Sequence, residues 1–209
     1  MPTPSSRDLP FGRSLSVPKR HQRSKVGLLG GSFNPAHLGH REISLAAIEW
    51  LGLDAVWWLV TPRNPQKDPE GYLPYEERLF RARQIARHPR IVISNFEERR
   101  RLQYTVDTVD SLLTLWPQMQ FVWLMGADSL SGFHLWKDWK RLATLVPIAV
   151  FNRPGVDTSP SETQFGREFA AFEVAEEDAI NLADTEPPAW SFCTATNNPE
   201  SASAIRKAY

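Results

Sequence analysis

The 209-residue chain is 42% hydrophobic and 23% charged, the balance of a soluble globular protein, and it is long enough to bury one substantial core. No apolar run approaches the ~20 residues that cross a bilayer, which argues against a membrane partner. The single cysteine, Cys193, excludes an intramolecular disulfide and a cysteine-rich zinc site, and it favours a reducing compartment such as the cytoplasm.

Charge is unevenly distributed, although the formal net charge is zero. Residues 1–25 carry six Lys/Arg against one Asp, and residues 155–209 carry ten Asp/Glu against three Lys/Arg. The middle of the chain is close to neutral, which argues against nucleic acid as a partner. Residues 1–25 are rich in Ser, Arg and Pro and are predicted to be a disordered basic extension, with an organelle transit peptide as the alternative.

Apolar strands alternate with amphipathic helices along the rest of the chain. Strands are predicted at 26–31, 55–60, 91–94, 121–127, 147–153 and 191–195. Helices are predicted at 38–51, from 75 to Pro89, at 105–116 with a capping threonine, at 136–144, at 161–172 and from about Pro199. Loops are predicted at 61–74, 95–103 and 186–190.

Continuously apolar strands separated by helices indicate an α/β fold, a doubly wound parallel sheet of five to six strands with helices on both faces. Ligands of such sheets bind at the carboxyl ends of the strands. The sequences GGSFNPAH, TPRNPQK, GADSLSGF and FNRPG each follow a predicted strand. All four are therefore expected at the same edge, which is the predicted location of the functional site.

The turn after the first strand carries two glycines and then two histidines, His37 and His40. Glycines allow a sharp turn and a close approach of the backbone to a ligand, and the N-terminus of the following helix suits a phosphate. At i and i+3 the imidazoles share one helix face, from which they can donate to phosphate oxygens. Two alternatives stay open at this point: helix-capping histidines, and a metal site that lacks a third ligand.

The segment GGSFNPAHLGH resembles the (H/T)xGH phosphate-binding signature of the nucleotidylyltransferase superfamily. Five further segments, in the expected order, are similar to motifs of the bacterial nicotinate-nucleotide adenylyltransferase family: PRNPQK, QYTVDTVDSL, MGADSLSGFHLWKDW, FNRPG and SASAIR. The resemblance extends from Val26 to Arg206. It implies a Rossmann-like domain over 26–209, with a small C-terminal helical subdomain at about 156–209 that binds the ATP phosphates.

The resemblance also implies a reaction. AMP passes from ATP to nicotinate mononucleotide by direct in-line attack, giving nicotinate adenine dinucleotide and pyrophosphate, with Mg²⁺ accompanying ATP and no resident metal. Consistent with this, the sequence offers no convincing Ser/His/Asp or Cys/His nucleophile, and Cys193 is expected to be a packed residue. ATP and nicotinate mononucleotide are thus the implied partners, and homo-oligomerisation stays open.

The resemblance implies roles for individual residues of this sequence. His37 and His40 are the implied catalytic residues. The implied ATP-binding residues are Gly31, Ser32, Phe33, His37, His40, Ser201, Ser203 and Arg206. The implied substrate-binding residues are Lys67, Thr105, Asp128, Trp136 and Lys137, with Asp128 on a ribose hydroxyl, Trp136 stacked on the nicotinate ring, and the Lys137 backbone N–H and the Thr105 region on the carboxylate.

Several alternatives to these assignments remain. Instead of stacking on the substrate, Trp136 could be a core residue, which is the role expected of Trp57, Trp58 and Trp123. Instead of binding a phosphate, Lys67 could be a solvated loop residue. Pantetheine-phosphate adenylyltransferase is the nearest rival enzyme, although His37 and the GADS segment argue against it, and a non-catalytic nucleotide-binding relative is the rival from another class. The chain departs from the family pattern at Ala202, where a serine is common, and at Asn34, where an aspartate is common; family members also usually continue beyond the SASAIR helix.

Overall fold

The computed structural model describes residues 23–62, 72–153 and 159–194. Within them, six parallel strands form one sheet in the order β3-β2-β1-β4-β5-β6. The strands are β1 Lys25–Gly31, β2 Ala55–Val60, β3 Ile91–Ser94, β4 Gln120–Gly126, β5 Ile148–Phe151 and β6 Trp190–Cys193. The helices are α1 Leu38–Trp50, α2 Tyr75–Ala86, α3 Phe96–Arg100, α4 Thr105–Leu115, α5 Ala127–Leu130, α6 Trp139–Leu145 and α7 Gln164–Glu168. The predicted doubly wound parallel sheet is confirmed.

The strand order reverses at β1, which lies between β2 and β4. Leu28 of β1 is in register with Trp57 of β2 and with Trp123 of β4. A reversal of this kind separates the loops on either side of the first strand and opens a crevice at the carboxyl edge of the sheet. The topology therefore places the loops after β1, β2, β4 and β5 around one crevice.

Two apolar cores cover the two faces of the sheet. One core packs Leu28, Trp57 and Trp123 against residues of α4 and α6, such as Val109 and Leu142. The other packs Leu29, Trp58 and Leu124 against residues of α1 and α2, such as Ala47 and Leu79. Because adjacent strand residues point to opposite faces, continuously apolar strands supply both cores at once.

Residues 95–103 are not the loop that the polar sequence predicts, because Phe96–Arg100 form α3. The helix has Glu97 and Glu98 in its first turn and Arg99 and Arg100 in its last turn. Acidic residues at the start and basic residues at the end of a helix complement its dipole. The polar residues that suggest a loop are therefore arranged in the order that stabilises a short helix.

The predicted helix at 136–144 begins later, at Trp139, and the chain before it takes another course. It forms α5, then a 3-10 turn at Phe133–Leu135, and Trp136 is extended with φ −74° and ψ 147°. Asp138 precedes α6 in the left-handed region at φ 48°, which separates Trp136 from the helix. The start of α4 also differs from the prediction, because Tyr104 occupies the N-cap position and Thr105 is the first helical residue.

The region after β5 is less helical than predicted. The expected helix at 161–172 is divided into a 3-10 turn at Pro160–Glu162, α7, and a 3-10 turn at Ala170–Phe172. A further 3-10 segment at Glu176–Asp184 packs on the sheet, and β6 pairs with β5 as the edge strand. Across the described ranges, no helix combines the length and apolarity that crossing a membrane requires.

Candidate active site

The crevice at the carboxyl edge of the sheet holds most of the residues that the sequence singled out. Gly31 ends β1, Ser32, Phe33, His37 and His40 follow it along the chain, and Asp128 follows β4. Thr105 begins α4, and Trp136 and Lys137 lie between the 3-10 turn and α6. The predicted residues Lys67, Ser201, Ser203 and Arg206 lie outside the described residues, as do the predicted extension up to residue 22 and the predicted helix from Pro199.

The turn after β1 is buried and takes its sharp bend at Phe33 rather than at the glycines. Phe33 has a positive φ of 47°, a conformation that costs a non-glycine residue about 1–2 kcal/mol. Its ring stacks on Trp58, with 4.9 Å between centroids, and this contact holds the turn in place. Gly30 was predicted to let the backbone approach a ligand, but its role is to make room for the Trp123 ring. A Cβ at this position would lie 2.4 Å from that ring.

Asn34 connects this turn to the segment that enters α2. Its side-chain Oδ1 accepts a hydrogen bond from the Leu73 backbone N–H at 3.0 Å. Asparagine and aspartate both offer an oxygen at this position, so the departure from the family pattern keeps the acceptor that the turn uses.

The rings of His37 and His40 are in contact at the N-terminus of α1, tilted by 46° to each other. Their ring centroids are 3.8 Å apart, and the His37 backbone N–H donates to His40 Nδ1 at 3.3 Å. Because Nδ1 is an acceptor, a neutral His40 carries its proton on Nε2, which makes Nε2 a donor. The helix has no acidic residue in its first turn, so its positive end is not neutralised there.

His37 is held in its neutral form. Only 4% of the residue is exposed, and burial, reinforced by the nearby positive charge of Arg153, lowers the pKa of His37 to about 4. His37 and His40 also form a capping box at the start of α1, in which the side chain of each residue faces the backbone N–H of the other. The helix-capping arrangement that the sequence left open is therefore present.

Asp128 and Arg153 join the loops after β4 and β5. Arg153 Nη1 lies 2.6 Å from Asp128 Oδ2, and the Arg153 side chain is only 14% exposed. Gly126 makes room for the carboxylate, since a Cβ there would lie 2.5 Å from Asp128 Oδ1. Arg153 was not among the predicted site residues, although its FNRPG loop was placed at the same edge as GADS.

Lys137 contacts the N-terminus of α4, and its neighbour Trp136 packs on the core beside it. The Lys137 Nζ lies 3.1 Å from Asp107 Oδ2 and 4.5 Å from the centroid of the Tyr104 ring. Trp136 is half-buried and meets Phe133 and Trp123 edge to face, with centroids 5.2 and 6.1 Å apart. The side chain of Tyr104, the N-cap residue of α4, makes no capping hydrogen bond with the first N–H groups of this helix.

The tryptophans of the strands differ from Trp136 in their exposure. Trp57, Trp58 and Trp123 are 5%, 0% and 1% exposed, which confirms the predicted core role of all three.

Cys193 is fully buried, and burial raises the pKa of its thiol to about 12, as expected for a packed residue rather than a nucleophile.

Arg78 is a site residue that the sequence analysis did not identify. Only 1% of it is exposed, and its guanidinium donates to the backbone carbonyls of Ser32, Thr61 and Pro62. It thereby ties the exits of β1 and β2 together from the first turn of α2. The sequence feature that could have identified Arg78 is its position on the apolar face of α2, beside Leu79 and Ala82, where a charged residue is unusual.

The paired histidines, the Asp128–Arg153 ion pair and the Trp136 loop surround one crevice. One side of it offers ring N–H groups, a helix N-terminus and a guanidinium, which suit phosphates. The other side offers an aromatic side chain beside a second helix N-terminus, which suits a flat anionic ring.

Comparison with known proteins gives a consistent result. The model of the cytidylyltransferase-like family matches residues 28–208. A probable nicotinate-nucleotide adenylyltransferase of Bradyrhizobium sp. (strain ORS 278) is 46% identical over 182 residues, which cover 87% of this chain and 95% of that protein. A protein of the same description from Rhizobium meliloti (strain 1021) is 42% identical over 183 residues, covering 88% and 97%.

A solved structure shares the fold. Plasmodium falciparum nicotinic acid mononucleotide adenylyltransferase complexed with NaAD superposes with a TM-score of 0.66 at 15% identity, covering 88% of this chain and 83% of that one. Its sequence identity is too low to carry residue roles, and it supports the architecture alone.

Proposed function

The chain belongs to the cytidylyltransferase-like family and, within it, to the nicotinate-nucleotide adenylyltransferases, and on this premise we propose how its site works. The enzyme transfers AMP from ATP to nicotinate mononucleotide, which yields nicotinate adenine dinucleotide and pyrophosphate in NAD biosynthesis. The proposal assigns the donor to the histidine side of the crevice and the acceptor to the Trp136 side. It also assigns the enzyme to the cytoplasm.

On the donor side, the ATP phosphates lie against the N-terminus of α1. His37 and His40 donate from neutral rings, and the backbone of Gly31, Ser32 and Phe33 lies along the nucleotide. The assigned Nε2 proton of His40 supports this orientation. Ser201, Ser203, Arg206 and Lys67 complete the set of phosphate contacts in the proposal.

On the acceptor side, the nicotinate ring stacks on Trp136. Its carboxylate accepts from the N–H groups at the start of α4, in the Thr105 region, and from the backbone N–H of Lys137. The support is the docking of Lys137 on Asp107 and Tyr104, which brings the two segments together. Asp128, positioned by Arg153, accepts from a ribose hydroxyl.

The chemical step needs positioning and charge stabilisation rather than a protein nucleophile. An oxygen of the acceptor 5′-phosphate bonds to the α-phosphorus of ATP, and the bond from that phosphorus to the β-phosphate oxygen breaks with departure of pyrophosphate. The attacking oxygen is already anionic, so no general base is required. Ring N–H donors and Arg153 stabilise the charge that develops on the transferred group.

Mg²⁺ enters the proposal as a companion of ATP. Among the described residues, no three or more His, Cys, Asp or Glu side chains converge as a metal site. An ion held mainly by triphosphate oxygens and water fits such a donor set, and it would neutralise charge on the leaving pyrophosphate.

The observation that carries the proposal is the contact of Lys137 with Asp107 and Tyr104, which brings the Trp136–Lys137 segment to the start of α4. The test is incubation with Mg-ATP and either nicotinate mononucleotide or nicotinamide mononucleotide, with the dinucleotide and pyrophosphate both quantified. We expect faster turnover with the acid. Preference for the amide would overturn the acceptor-side contacts, and turnover with neither would overturn the proposed function.

A further inference from the structure

Glu97 is a buried carboxyl group to which the mechanism assigns no role. It lies in α3, is 5% exposed, and is held by its neighbours: the Leu102 backbone N–H donates to its carbonyl oxygen at 2.8 Å. The carboxyl group lies between Thr61, at the exit of β2, and Thr108 of α4. Buried charged residues are normally paired with an opposite charge, and Glu97 is in contact with hydroxyl groups instead.

The hydrogen bonds around Thr108 favour a protonated Glu97. Thr108 Oγ1 lies 3.1 Å from Glu97 Oε1 and 3.2 Å from the backbone carbonyl of Tyr104. The single hydroxyl proton of Thr108 is shared between these two oxygens, so it satisfies Glu97 Oε1 only in part. A carboxylate that relies on a shared donor is poorly stabilised, whereas a neutral carboxyl group needs fewer donors. Glu97 Oε2 is buried with no hydrogen-bond partner among the described residues, a position that suits a neutral acid better than a carboxylate.

Burial favours this protonation state. Burial raises the pKa of Glu97 to about 7, against the hydrogen bonds from Thr61 and Thr108, which lower it. Tyr75 of α2 faces the same corner and stays neutral, because burial and the nearby carboxylates raise the pKa of its phenol. Glu98 and Arg78 are the other charged groups that act on Tyr75 from this side, together with Glu76.

We propose that Glu97 is a positioning residue of the acceptor side, and that it acts as a neutral carboxylic acid. It joins the exit of β2 to the first turn of α4, and Tyr104 at the end of its hydrogen-bond chain is the N-cap of that helix. Thr108 is one helical turn from Thr105 on the same face. If Glu97 were ionised, its negative charge would repel the carboxylate of the acceptor bound at the N-terminus of α4. This inference rests on the proposed function.

The test is the pH dependence of KM for each substrate between about pH 6 and 8.5, in the wild type and in Glu97→Gln. As the pH rises over this range, we expect the ratio of the wild-type KM to the Glu97→Gln KM for nicotinate mononucleotide to increase about fivefold, because the charge on Glu97 is only partly screened. The same ratio for ATP stays constant. Titration of the acceptor's own phosphate is common to both enzymes and cancels in the ratio. Parallel acceptor profiles would overturn the role of Glu97.

Three further variants keep the test decisive if Glu97→Gln does not fold. Thr108→Val removes a hydrogen bond that lowers the pKa of Glu97, so the rise in acceptor KM moves to higher pH, whereas Thr108→Ser leaves it in place. Glu98→Gln, an exposed neighbour, is the matched control and keeps the wild-type profile. An unmoved profile in Thr108→Val would overturn the inference alone, and absence of dinucleotide product from the wild type at every pH would overturn the proposed function with it.

Discussion

The backbone N–H of His37 donates to Nδ1 of His40 at 3.3 Å, and this bond determines which nitrogen of His40 can act on a ligand. With Nδ1 occupied as an acceptor, the proton of a neutral ring lies on Nε2. His40 is also packed against Phe33, with 4.6 Å between ring centroids. The ring is therefore oriented before any ligand binds, which is the condition for electrostatic stabilisation of a transition state.

Replacement of His40 by alanine removes one oriented donor from the transferring phosphate. We expect kcat for dinucleotide formation to fall by about 10²–10³, the usual cost of one such donor. The measurement is steady-state kinetics with both substrates saturating. His88→Ala, at the far end of α2, is the matched control and keeps wild-type kcat; an equal loss in that variant would point to a general effect of histidine removal.

His37 predicts a component of acid sensitivity in folding. Burial and Arg153 lower its pKa to about 4 in the folded state, against 6.5 for the ordinary group, so the unfolded chain binds more protons between these values. Stability from this group is complete above about pH 6.5 and decreases as the pH falls toward 4, by at most about 3 kcal/mol. Denaturant unfolding of the wild type and of His37→Asn from pH 4 to 7.5 measures the difference.

The comparison with His37→Asn separates this effect from that of Glu97. The raised pKa of Glu97 has the opposite sign, because the folded state then binds more protons, and its contribution decreases as pH rises through about 7. Both proteins contain Glu97, so its contribution cancels in their difference. If the two stability curves run parallel below pH 6.5, His37 is not held neutral in the folded protein.

Arg78 predicts a large stability effect from one side chain that makes no ion pair with the residues around it in the described structure. Arg78→Met leaves the carbonyls of Ser32, Thr61 and Pro62 without their donor, and we expect a loss of about 3 kcal/mol in the free energy of unfolding, as for other disrupted buried networks. KM for ATP also rises, since the turn after β1 loses its support. Arg81→Ala, which breaks an exposed pair with Glu77, is the control and costs about 0.5 kcal/mol or less.

The sheet could be predicted from sequence because its signals are local. Segments such as AVWWLV are apolar on both faces, which indicates a strand covered on both sides, and their alternation with helices fixes a parallel arrangement. The shared location of the loops after β1 and β4 then follows from topology alone. The bounds of β1 and β2 agree with the prediction to within one residue.

The supporting residues could not be predicted because their partners are distant in sequence. Arg78 contacts Ser32, 46 positions away, and Glu97 contacts Thr108 across the start of another helix. Polarity alone marks both residues as solvent-exposed, and burial depends on the packing of whole elements. The helical periodicity around Trp136 was also overridden, because packing against Phe133 and Trp123 holds that residue in an extended conformation.

The extended conformation of Trp136 makes its ring the most direct test of the acceptor side. Trp136→Ala is expected to raise KM for nicotinate mononucleotide by about tenfold or more, since stacking of a flat heterocycle on an aromatic side chain contributes about 1–3 kcal/mol. KM for ATP stays within about twofold, because the proposal assigns ATP to His37 and His40 rather than to this ring. Trp136→Phe keeps a ring face and recovers most of the affinity, whereas Trp50→Ala, a half-buried tryptophan at the end of α1, leaves both KM values unchanged. Equal increases in the two KM values would show that Trp136 supports the fold of the site rather than the acceptor ring.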